Sequence, residues 1–297
     1  MKRMISCYSS ERLNMNKEEL KKSIIASEGR VVMTETVCTI PPLFPDLSNA
    51  EFAVAFGSDL VLLNCFDFTN PQIMGLPEND NPIKLLKKYI GRPVGCNLEP
   101  IDESATMMEN RKIISSGRHA TVENFEKANE LGLDFVCLTG NPGTGVSNES
   151  IKKAIKIAKE HFNGLIIAGK MHSSGINEEL VNLDSIKEFI HSGADVILLP
   201  AINTVPGVSE ELLTEACKLI RKEGALSLSA IGTSQESSDQ ETIREMAIIN
   251  KRCGFDIQHI GDAGYAGIAL LENITTLSIA VRGKRWTYHT MAASINR

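Results

Sequence analysis

From about residue 30 to residue 282, short apolar, β-branched runs alternate with stretches whose apolar residues recur every three or four positions between charged ones. The first pattern predicts strands and the second amphipathic helices. The strand-like runs cover 30–38, 59–67, 92–100, 134–141, 164–172, 195–202, 225–232 and 256–264. Several are apolar through most of their length, as strands covered on both faces are. Between them, 49–59, 81–91, 121–132, 148–162, 183–193, 209–224 and 240–254, with a last one over 268–283, carry the helical spacing. Gly91, Gly132, Gly193, Gly224 and Gly254 stand where helices should end.

Eight strand-then-helix units in this order and length predict an α/β fold, a single (β/α)8 barrel. A doubly wound open sheet is the rival, but no dinucleotide fingerprint follows the first run. The expected division is an N-terminal extension over 1–29, the barrel over 30–282 and a tail over 283–297. The extension carries an extra helix at 16–27, placed to cover the barrel bottom. The tail holds the chain's single Trp, and its KRWTYHTMAA segment suits a surface or subunit contact, so a homo-oligomer is expected.

Composition narrows the classes of partner. The chain has 297 residues, 42% hydrophobic and 23% charged, enough to bury a large core, and a net charge of −6 with no basic run argues against nucleic acid. Seven cysteines are scattered without a C-x-x-C pair, the expectation for reduced thiols in a cytoplasmic protein. No segment has the roughly 18 apolar residues of a membrane span, so no membrane partner is expected.

Barrel chemistry sits at the C-terminal ends of the strands. Polar residues gather there: Glu35, Asn64 and Asp67, Asn97 and Glu99, Thr139 and Asn141, Lys170 and His172, His259 and Asp262. Alternation along a strand puts Asn97 with Glu99, Thr139 with Asn141, and Lys170 with His172 on common faces. The catalytic candidates are Lys170, His172, Glu35 and Glu99. A lysine desolvated at a barrel mouth can act as nucleophile or base, or stay charged beside an oxyanion, while His172 moves protons near neutral pH. Asn97, Asn141, Asp67, Arg118 and Asp262 are substrate-binding candidates. Arg118 lies in the long insertion 101–123, which has the length of a lid. Gly232, Thr233 and Ser234, with Gly261 and Gly264, form two loops whose amides would face a phosphate. The segment GNPGTGVS at 140–147 has Walker A spacing, but Val146 replaces its lysine, so nucleotide hydrolysis is rejected.

With its Gly-rich GDAGYAG segment and a lysine at a strand end, the chain resembles phosphate-binding (β/α)8 (TIM) barrel enzymes, the group that includes ribulose-phosphate-type epimerases and Schiff-base aldolases. The resemblance spans about residues 30–282. It implies a lyase or isomerase acting, without metal or other cofactor, on a small anionic or phosphorylated sugar or keto acid. The chain departs from Schiff-base barrels in carrying its lysine on the fifth run rather than the sixth. Two other readings stay open: a metal-assisted hydrolase or lyase holding a divalent ion with Glu35, Asp67, Glu99 and His172, and a non-catalytic metabolite-binding barrel.

Overall fold

The computed structural model describes residues 2–262 and 264–297, apart from the side chain of Tyr265. Eight parallel strands pair in chain order and close on themselves: β1 (Val31–Val37), β2 (Leu60–Asn64), β3 (Val94–Leu98), β4 (Phe135–Leu138), β5 (Leu165–Gly169), β6 (Val196–Pro200), β7 (Leu226–Ile231) and β8 (Ile257–Ile260). Two helices come first, α1 (Ser9–Leu13) and α2 (Lys17–Ile25). One follows each strand: α3 (Asn49–Ala55), α4 (Pro82–Ile90), α5 (Val122–Leu131), α6 (Asn148–His161), α7 (Leu183–Ser192), α8 (Glu210–Lys222), α9 (Gln240–Cys253) and α10 (Leu271–Ala292). This is a single (β/α)8 barrel. No described helix is long and apolar enough to cross a membrane.

Local chemistry sets the helix ends. Asn16 and Ser48 each accept the amide of the third residue onward, Glu19 and Glu51, whose carboxylates return the bond. Asn81 caps α4 ahead of Pro82, and Gly91 ends it in the left-handed conformation.

Inside the barrel, register and parity sort the residues into layers. Val31, Met33, Leu60, Leu62, Phe135, Cys137, Leu165, Ile167, Val196, Leu198, Leu226, Leu228 and Ile257 fill the interior, and Met4, Leu20 and Ile24 close its bottom. The inward-facing position 95 is glycine, where a Cβ would stand 2.1 Å from the Phe135 ring, which takes the space. The same inward positions turn polar one step higher: Glu35 follows Met33, Asn64 follows Leu62, Asn97 follows Gly95, and His259 follows Ile257.

At the bottom an aspartate precedes every even strand and repeats one bonding pattern. Asp59 donates its amide to Val32 O and accepts the Val32 amide on Oδ2 at 3.0 Å. Asp134 does the same with Val94, Asp195 with Ile166, and Asp256 with Ser227. Cations approach each one: Arg12 and Arg282 at Asp59, Lys87 at Asp134, Lys17 and Lys21 at Asp195, and Arg221 at Asp256. Through Arg12 and Lys17 the first two helices are fastened under the barrel.

The predicted tail is not separate. Helix α10 continues through a kink at Gly283 to Ala292, burying Thr287 and Thr290, and Thr290 O accepts from the buried Arg92.

Breaking a buried ion pair strands the remaining charge. Asp59→Ala should lower unfolding stability in urea by about 3 to 5 kcal/mol. Lys127→Ala, which removes the exposed pair with Glu123, should leave the urea midpoint essentially unchanged.

Candidate active site

The C-terminal mouth opens into a cavity of about 840 Å³ whose wall includes Glu35, Asn64, Asn97, Thr139, Asn141, His172, Arg118, Glu236 and Asp262. Its floor is the top polar layer of the barrel. Asn97 donates to Glu35 Oε1 at 2.6 Å, and His259 Nε2 lies 3.2 Å from Glu35 Oε2 with both side chains buried. That approach has ion-pair distance but not hydrogen-bond geometry, and neither His259 ring nitrogen has a hydrogen-bond partner among the described residues.

A second chain of bonds crosses the cavity. Asn64 donates to Asp262 Oδ2 at 2.6 Å and to Asn141 Oδ1 at 2.9 Å, and Asn141 returns a bond to Asn64. Asn141 also donates its amide and its side-chain nitrogen to Glu99, whose Oε1 accepts from Arg118. Glu99 is therefore buried behind the wall, holding Asn141 and Arg118 in place rather than meeting a ligand.

Electrostatics separates the carboxyls. Burial, helped by the charge of Glu35, raises Asp262 to about 6, against bonds from Asn64 and Gly264 that favour its ionised form. Burial likewise raises Glu236, with a smaller push from Glu35. Burial lowers His172, outweighing the pull of Glu35. The Ser174 amide donates to His172 Nδ1 at 3.0 Å, so the neutral ring carries its proton on Nε2 and can donate it.

The predicted partnership of Lys170 with His172 is corrected. Strand β5 ends at Gly169 with a φ of +146, where a Cβ would lie 2.0 Å from Leu198 O, and the alternation fails beyond Lys170, where His172 turns into the mouth. Lys170 keeps the outward parity of Ile166 and Ala168 and lies outside the mouth, bonded to Glu178 Oε2 at 2.5 Å and Val146 O at 3.4 Å. Asp67 is also displaced. It turns down to bond the Thr69 amide at 2.8 Å beneath Gly117, beside a smaller cavity of about 310 Å³. The four residues expected to share a metal ion are thus not assembled, and no three His, Cys, Asp or Glu side chains among the described residues come together as a metal-binding group.

Gly232, Thr233, Ser234, Gly261 and Gly264 do line the cavity. Two of their amides are already engaged, Gly261 with Ile231 O and Gly264 with the Asp262 carboxylate. The Thr233 hydroxyl donates to Thr204 O. Glu236, in the short 3-10 turn Gln235–Ser237, went unpredicted because nothing in GTSQESSD distinguishes its glutamate from a solvated loop charge.

A family model described as a domain of unknown function, DUF7916, matches residues 5–297. The chain belongs to this family. No curated protein matches the DUF7916 chain by sequence. Among solved structures it is similar to an archaeal fructose 1,6-bisphosphate aldolase at 15% identity and TM-score 0.54, covering 86% of this chain and 95% of that one. It is also similar to 2,3-dimethylmalate lyase, a PEP mutase/isocitrate lyase superfamily member, at 14% identity and TM-score 0.51, covering 83% and 81%. At these identities the likeness is one of fold. A further aldolase neighbour, at 15% identity, TM-score 0.53 and 86% and 96% coverage, is described as Schiff-base forming. Strand β6 of the DUF7916 chain, Val196–Pro200, carries no lysine.

Removing the charge of Glu35 should lower the Asp262 pKa. Side-chain carboxyl NMR of Glu35→Gln should show Asp262 titrating below about 6. Because that folded value is raised, the stability Asp262 contributes is present below the unfolded value near 4 and lost as pH rises through about 6. Melting temperatures should therefore show Asp262→Asn gaining on the parent protein as pH increases across that window.

Proposed function

We propose that the protein is a lyase or isomerase that works by proton transfer on a small polar metabolite in the barrel mouth. The observation that carries this reading is the Asp262 carboxyl, fixed by Asn64 and Gly264 and poised near neutrality in the cavity wall. A base with such a pKa combines adequate strength with availability at physiological pH.

In the chemistry this suggests, the Asp262 carboxylate takes a proton from carbon next to a substrate carbonyl. The electron pair moves onto the carbonyl oxygen, where the Nε2–H of neutral His172 donates a hydrogen bond. Where the α-carbon bears a hydroxyl, transfer of that hydroxyl proton to the carbonyl oxygen and return of the carbon proton to the former carbonyl carbon complete an isomerisation. In a lyase the same base takes a β-hydroxyl proton, the carbon–carbon bond breaks to leave the enolate and a new carbonyl, and the enolate carbon is then protonated. Lys170 has no part, since its ammonium is held by Glu178 behind the wall.

An anionic end of the substrate, carboxylate or phosphate, fits the insertion side of the mouth, where Lys112 and Arg118 line the cavity. The loops after β7 and β8 suit an anion less, because Asp262 and Glu236 stand among their amides.

Proton abstraction is visible before the product is known. Incubated in D2O with a panel of small keto acids and sugar phosphates, the protein should exchange α-protons of its substrate, read by proton NMR. Asp262→Asn should slow exchange by about 10² to 10⁴-fold. The parent rate should rise with pH through about 6, as deprotonation of a base requires. Exchange undiminished in Asp262→Asn, or a borohydride-trapped adduct on a lysine, would defeat this mechanism.

A further inference from the structure

The mouth contains more acceptors than its own donors satisfy, and the excess lies on one side. Its lining acids are Glu35, Glu109, Glu236 and Asp262, against Lys112 and Arg118. Arg118 is paired with Glu99 on the insertion side of the mouth. The charge of Glu35 disfavours ionisation of both Glu236 and Asp262, and His259 opposes it at each. Among the described residues the lining cations are Lys112 and Arg118, both from the insertion after β3.

The buried atoms without a described partner include two acceptors in the cavity wall, beside the His259 ring nitrogens on its floor. Asn97 is 5% exposed and gives its side-chain nitrogen to Glu35, while its Oδ1 accepts nothing among the described residues. Glu236 is 6% exposed, stands in the cavity wall, and has an Oε2 with no described partner. Buried polar atoms are ordinarily paired, and an orphaned acceptor in a cavity wall marks the place of a ligand's donor. The arrangement calls for a group with several N–H donors and a positive charge. These carboxylates do not converge as a metal-binding group, whereas an ammonium reaches separate acceptors through three divergent hydrogens.

We infer that the mouth holds a primary amine of its substrate against Asn97, Glu35 and Glu236, with the substrate's anionic end toward Lys112 and Arg118. The substrate class is then a small zwitterion, an amino acid or amino sugar bearing a carboxylate or phosphate. This rests on the mouth being the substrate site proposed above, but not on Asp262 being the base. Binding of an ammonium there relieves repulsion among the carboxylates, and the hydroxyl that replaces it in a neutral analogue does not.

Matched probes differing only in that group provide the test. Isothermal titration of the full chain with glucosamine 6-phosphate and glucose 6-phosphate should favour the amine at least tenfold. The preference should fall below threefold in Glu236→Gln and persist in Glu236→Asp, which keeps the charge, with circular dichroism confirming that each variant folds. Failure of the amine to bind more tightly than its hydroxyl twin overturns the inference. So does a preference undiminished in folded Glu236→Gln, or equal stabilisation by magnesium alone. Amine preference without α-proton exchange upholds this subsite and removes the proposed chemistry. Exchange with no amine preference does the reverse.

Discussion

Everything above the barrel floor depends on four aspartates that act as extra links in the backbone ladder. Each sits one residue before an even strand, gives its amide to the preceding strand, and takes back that residue's amide on its carboxylate. Such a two-bond clasp fixes where the even strand begins. Because side chains alternate, that starting point decides which residues face inward five positions later. A slip of one residue between β1 and β2 would turn Asn64 away from Asp262 and put a leucine in its place. The polar mouth is thus a consequence of register set at the opposite end, where the cations of α1, α2, α4 and α10 gather around the same aspartates.

The mouth shows what those constraints permit. Carboxyls that would repel one another if packed freely are kept in place by neutral amides: Asn97 on Glu35, Asn64 on Asp262, Asn141 on Glu99. Amide partners fix direction without cancelling charge, so Asp262 and Glu236 retain raised pKa values in a site that could have been neutralised by a single lysine. Lys170 is near enough in sequence to have done so. Its bond to Glu178, which also accepts the Asn148 amide at the start of α6, spends its charge on anchoring the loop after β5 instead.

The sequence made the barrel readable because apolar content and helical spacing are local properties repeated eight times. It made strand ends less readable. Polar residues that follow a strand continue its composition but not its geometry, so the run 164–172 outlasts β5 by three residues: Lys170 still follows the strand's parity, whereas His172 leaves it to line the mouth. Asn64, unremarkable alone, proves central because its partners Asn141 and Asp262 are 77 and 198 residues away. Glu236 illustrates the converse: its burial is imposed by tertiary packing around a short turn, with no periodicity to announce it. The clasp of the aspartates before the even strands is a three-dimensional fact that the strand pattern does not announce.

The insertion 101–121 meets the rest of the mouth along a seam of main-chain bonds: Asp102 to Gly145 O, Met108 to Gly175 O and Lys112 to Gly143 O. Main-chain bonds ask almost nothing of the side chains that ride on them. Met108, Lys112 and Ile113 can therefore be exchanged by mutation while the loop keeps its place. In evolutionary terms, the part of the rim that greets an incoming molecule is free to drift even though the floor beneath it is held fast. Relatives sharing this frame can diverge in what they admit without having to relearn how to fold.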